Sequence, residues 1–144
     1  MITRADVVAT ARKYVETPTV HQGRTLGKGV DCIGLIICVA RDLGILGFDE
    51  REYRTYRART APGSQGLIKN LSGLCGEPTD EYGPGSILVM FINKRKRRPQ
   101  HLAIASDRNR MIHAHQRFQR VVEHNISEIY TSLILCAFNY PGVE

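Results

Sequence analysis

The sequence predicts an α+β domain in which helices come first and an antiparallel sheet follows. Three observations point there. Apolar residues recur at helical spacing over residues 4–15 and run almost unbroken through 33–43; Gly83-Pro84-Gly85 marks a sharp turn; and beyond it the chain breaks into apolar or alternating runs. With 144 residues and no Pro/Gly/Ser linker, residues 1–144 are expected to share one core as a single domain.

Thr3 can cap the first helix, expected over 4–15, with Asp6 near its start and Ala5, Val8, Ala11 and Val15 on one face. Pro18 ends it, and Gly23, Gly27 and Gly29 mark a flexible loop. The helix over 33–43 is apolar almost all round and so belongs inside the core. Residues 44–63, rich in Arg and Tyr, read as irregular surface chain, and Leu67, Ile68, Leu71 and Leu74 as a short amphipathic helix. Strands are expected at 86–92, 101–106, 110–115, 121–126 and 133–140.

Composition narrows the functional classes. A chain 42% hydrophobic and 24% charged is ordinary globular protein. Its longest apolar runs, 33–40 and 87–92, fall far short of the roughly 20 residues that span a bilayer, so no membrane anchor is expected. The N-terminus lacks the pattern of a signal peptide, which predicts synthesis in the cytoplasm. Cys32, Cys38, Cys75 and Cys136 are irregularly spaced, with no CxxC pair, so neither a metal nor any other cofactor is called for. Cys38 and Cys136 read as small buried hydrophobes. Much of the +6 charge lies in the consecutive Lys94, Arg95, Lys96, Arg97 and Arg98, read as a solvated hairpin tip, with an acidic partner as the second reading. No aromatic residues interleave the run, so nucleic acid is not an expected partner.

The chemistry centres on Cys32, which a turn delivers to the start of the second helix. Orphan N–H groups and the helix dipole there favour a thiolate, lowering a cysteine pKa from roughly 8.5 towards about 3.5–7.5. Such a nucleophile needs a base, and His101, opening a strand, is the candidate. A third polar group must orient that imidazole. The next strand offers His113 and His115; they share a face by two-residue periodicity, so parity does not choose between them. His124, in a polar stretch, reads as exposed.

Val30-Asp31-Cys32-Ile33-Gly34-Leu35, His101-Leu102-Ala103-Ile104 and Met111-Ile112-His113-Ala114 together resemble the nucleophile motif, histidine strand and third-residue strand of the NlpC/P60 cysteine peptidases. The likeness covers nearly the whole chain. It implies a papain-like fold with the nucleophile helix packed on a C-terminal sheet, and the twelve-residue step from His101 to His113 favours His113 as orienting group. Thr17-Pro18-Thr19-Val20-His21-Gln22, Gly83-Pro84-Gly85-Ser86-Ile87-Leu88 and Ala137-Phe138-Asn139-Tyr140-Pro141 are similar to the branch found in bacteriophage tail tips and gene transfer agents.

The resemblance implies hydrolysis of peptidoglycan stem peptides or cross-links by Cys32, His101 and His113. Asp31 would bind a substrate amino group, or serve only as a helix-start carboxylate; Gln22 and His21 would line the cleft or hold the loop. It also implies tail-tip or baseplate hub proteins as partners and a virion tail that carries the enzyme to the cell wall. Two positions depart from the family pattern: Thr19 stands where a tyrosine is usual, and Ile33 where many bacterial members have serine. A tail assembly protein that keeps the fold without catalysis is the alternative, and acyl transfer to another amine or a lipid a third reading.

Overall fold

Helix α1 (Arg4–Arg12) begins where the sequence indicates, with Thr3 and Asp6 forming a reciprocal capping box. It ends earlier than expected. Lys13, Tyr14, Val15 and Thr17 each donate to the carbonyl three residues back, whereas Glu16, at a left-handed φ of 76°, donates to the Val121 carbonyl of the sheet. The buried stripe is Val7, Val8, Ala11 and Tyr14, while Ala5 is exposed. The computed structural model describes residues 1–48, 65–92 and 99–144. The basic run Lys94 to Arg98 and most of the irregular 44–63 segment therefore lie outside the described residues.

The glycine-rich loop contains a short antiparallel pair, β1 (Arg24–Thr25) and β2 (Gly29–Val30). It leads into α2 (Cys32–Leu43), capped by Asp31 at one end and by Gly44 in the left-handed conformation at the other. Seven consecutive residues of α2, Gly34 to Ala40, are buried, as the apolar composition requires. Helix α3 (Gln65–Cys75) buries Leu67 and Leu71.

The remaining elements are β3 (Ser86–Phe91), β4 (Pro99–Asp107), β5 (Arg110–His115), β6 (Arg120–Asn125), α4 (Glu128–Leu133) and β7 (Ile134–Asn139). The five strands form one antiparallel sheet in the order β6-β5-β4-β3-β7. The expected strand over 133–140 is present as β7, while α4 lies on residues to which no element was assigned and takes only Leu133 from that strand. It carries the chain from one edge strand to the other, where β7 pairs with β3.

Alternation sorts the sheet into two faces. Ile87, Val89, Leu102, Ile104, Ile112 and Phe138 pack with α1 and α2 in the main core. Leu88, Met90, Ala103, Ala105 and Met111 pack on the opposite face under Leu133. The ends are tied across this layering: the Tyr140 hydroxyl donates to the Ile36 carbonyl of α2 at 2.7 Å, and Arg12 forks onto Glu123 of β6 with both bonds at 3.0 Å. No described helix is long and apolar enough to cross a membrane. The α+β architecture expected from the sequence is the one observed.

Candidate active site

Asp31 accepts hydrogen bonds at Oδ1 from the Gly34 N–H (2.7 Å) and the Arg24 guanidinium (3.3 Å), and at Oδ2 from the Gln22 N–H (2.8 Å). One carboxylate thus caps α2, fixes the preceding loop and anchors β1. These bonds are those of a helix-start carboxylate. Gln22 enters through its backbone, at a left-handed φ of 60°, and His21 is exposed in the same turn.

The Asp-Cys-x-Gly spacing has a steric reason. A Cβ on Gly34 would run into the Gly23 carbonyl oxygen and sit 2.7 Å from the Arg24 guanidinium. Gly34→Ala is expected to destabilise the protein by about 1–3 kcal/mol through overpacking. Urea unfolding checks this: the midpoint should fall with the m-value unchanged, and a wild-type midpoint would refute the packing argument.

Cys32 is the first residue of α2 and is half-buried. Its sulfur lies against the β4 backbone, where the amide of Leu102, the residue after His101, favours the thiolate together with the Ile33 and Cys32 amides. These donors do not prevail. Burial, reinforced by the Asp31 negative charge, pushes the thiol up to about 12. The depressed pKa expected from helix position is corrected accordingly: desolvation outweighs the dipole, and Cys32 rests as a neutral thiol. Among the described residues no hydrogen bond joins that thiol to the His101 ring.

His101 and His113 meet directly, with Nε2 of the first 2.8 Å from Nδ1 of the second. β4 and β5 pair at Ile104↔Ile112, so counting along the register places His113 across from Ala103 and His115 across from His101. The bonded rings therefore bridge a diagonal, within reach for long side chains. The two candidates on β5 have different partners. His115 uses Nδ1 to accept from the Arg117 (3.1 Å) and Phe118 (3.3 Å) amides and turns Nε2 to the Tyr130 hydroxyl (3.3 Å), so it serves the turn after β5. His113 is 3% exposed and bonded on both ring nitrogens.

Burial holds both central histidines neutral. His101 is pushed down to about 4, with His115 adding to desolvation, and His113 to about 2, with His101, His124 and His115 adding. His124, expected to be merely exposed, is half-buried, with Nε2 2.7 Å from His113 Nε2. The spacing along β6 carried the signal: Met111 pairs with His124, which places it diagonal to His113. Beside these rings is a cavity of about 120 Å³ lined by His101, His113, His115, Phe91, Tyr130 and Leu133, among others. Among the described residues no cluster of His, Cys, Asp or Glu is arranged to hold a metal ion. Cys38, Cys75 and Cys136 are free thiols; Cys38 is fully buried, while Cys136 is only half-buried, short of the expected core position.

No protein-family model and no curated protein matches the chain. Solved structures do. The NlpC/P60 domain of the peptidoglycan hydrolase SagA aligns over 96% of this chain and 99% of its own, with a TM-score of 0.65 and 22% identity. An NlpC/P60 family protein from Bacillus cereus aligns over 96% of this chain and 40% of its own (TM-score 0.66, 17% identity). NlpC2 from Trichomonas vaginalis aligns over 96% and 47% (TM-score 0.67, 14% identity). The chain thus spans less than half the length of the latter two proteins. The fold is that of NlpC/P60 domains, with Cys32 at the head of the central helix and His101 and His113 joined on adjacent strands.

Proposed function

We propose that the protein is a cysteine peptidase that hydrolyses peptidoglycan stem peptides or cross-links. The observation that carries this reading is the placement of Cys32 at the start of α2 with its sulfur against the amide of Leu102, the residue after His101, whose ring is bonded to His113 on the next strand. The fold shared with a peptidoglycan hydrolase domain supports the substrate class.

In the proposed reaction the Cys32 S–H bond breaks as its proton passes to the second ring nitrogen of His101, Nδ1, and sulfur attacks the peptide carbonyl. Because the thiol and imidazole start neutral, charge separates only during attack, and preorganised donors must stabilise the oxyanion; the Cys32 backbone N–H is one. The imidazolium then protonates the leaving amine, and water, deprotonated by His101, releases the acyl group from sulfur.

The bacteriophage-branch likeness of residues 17–22, 83–88 and 137–141 supports a tail-tip setting, in which particle contacts supply the local concentration that an isolated domain would lack. Hub or baseplate proteins would be the partners and a virion tail the location. Immunoblotting of purified particles tests that setting; its absence from them would refute it.

A non-catalytic assembly protein is the second reading, favoured by the raised Cys32 pKa. Purified murein incubated with wild type and with Cys32→Ala separates the two. New peptide ends are expected from wild type alone, and equal lack of release from both would overturn the enzyme reading. Mass spectrometry of the products would expose transfer to another acceptor.

A further inference from the structure

The histidine row has a direction, and its far end sets it. His124 Nδ1 lies 2.8 Å from the backbone carbonyl oxygen of Asn125. A carbonyl can only accept, so Nδ1 carries the hydrogen, and in a neutral imidazole Nε2 is then bare. Bare Nε2 must accept across the 2.7 Å contact, so His113 donates from its Nε2–H. His113 Nδ1 is bare by the same reasoning and accepts from the His101 Nε2–H across 2.8 Å. The row ends with His101 Nδ1 unprotonated, the form a general base requires. The His124 ring is itself seated, with the Tyr130 ring of α4 4.7 Å away between centroids.

We propose that His124 is a positioning residue: by donating to the Asn125 carbonyl and accepting from His113, it fixes the tautomer of His101 through two successive hydrogen bonds. The catalytic consequence rests on the peptidase reading; the tautomer assignment does not. Without an acceptor at position 124, His113 can hold its hydrogen on either nitrogen, and the reversed arrangement leaves His101 with an N–H at Nδ1, unable to take a proton there. A triad histidine held in the wrong tautomer loses roughly 10⁴-fold in turnover. Only the correctly poised fraction would work.

The test is ring-nitrogen NMR on the ¹⁵N-labelled full chain at neutral pH, for wild type, His124→Gln and His124→Leu. Glutamine keeps a carbonyl acceptor; leucine does not. Wild type and His124→Gln should show His101 protonated at Nε2 alone, whereas His124→Leu should populate both tautomers. On murein peptides His124→Leu should lower kcat roughly fivefold, the worth of one typical hydrogen bond, with KM unchanged and glutamine restoring most of the loss. A wild-type His101 bearing hydrogen on Nδ1 would overturn the assignment whether or not the variants fold. An unchanged His101 tautomer in folded His124→Leu would overturn the positioning role. An inactive wild type that keeps the stated tautomers would refute the peptidase reading and uphold this one.

Discussion

His101→Ala is expected to cut murein peptide release by roughly 10²- to 10⁴-fold, the usual contribution of a positioned acid–base group. The resting state makes the dependence strong. Burial pushes the Cys32 thiol up to about 12, so the thiolate fraction available without a base is negligible near neutral pH. In the proposed reaction His101 removes the proton during attack and returns it to the leaving amine. The measurement is initial-rate peptide release alongside titration of Cys32 with a small alkylating reagent. Both rates should fall together, because both reactions need the deprotonated sulfur. Full activity in folded His101→Ala would remove His101 from the mechanism and require another base.

Acidification from pH 7.5 to 4.5 is expected to destabilise the fold by roughly 5 kcal/mol, comparable with the whole stability of many domains. The folded protein holds His101 and His113 neutral down to about 4 and about 2, whereas the unfolded chain binds a proton at each near 6.5. Stability from this source is therefore complete above pH 6.5 and lost as pH falls, by about 1.4 kcal/mol per histidine for each unit. His115, also shifted down, acts with the same sign. Glu123 belongs to a more acidic window: its pKa is lowered from 4.5, chiefly by Arg12, so that contribution fades mainly below pH 4.5. Urea unfolding at pH 7.5, 5.5 and 4.5 checks the slope, which should be shallower in His113→Gln. A stability unchanged across that interval would show that the two imidazoles are not held neutral.

Much of the fold was legible because its determinants are local. The Thr3–Asp6 box, the Gly83-Pro84-Gly85 turn and the all-round apolar residues of α2 each state their structure within a few positions. α4 was hidden because Glu128 to Leu133 is only 6 residues long and abuts a genuine strand; a segment that short has no room for a helical period. At the candidate site, the helix-start position of Cys32 and the strand position of His101 were readable from their neighbours in sequence. The choice of His113 over His115 was not readable from parity, since both project to one face; it depends on the turn amides of Arg117 and Phe118 engaging His115. The thiol pKa was misjudged for a related reason. The helix start is visible in sequence, but the depth at which β4 buries it is a property of the packed sheet.

The Asn125 carbonyl belongs to the main chain, and this changes what evolution and mutagenesis can reach. Any residue at position 125 presents the same acceptor, so substitution there leaves the polarity of the row standing as long as β6 keeps its path. A shift of β6 against β5 by one residue would move that oxygen and turn His124 to the opposite face, without altering a single side chain named in the mechanism. Under the proposed mechanism strand register, ordinarily a matter of stability, becomes a setting of the nitrogen that would take the proton.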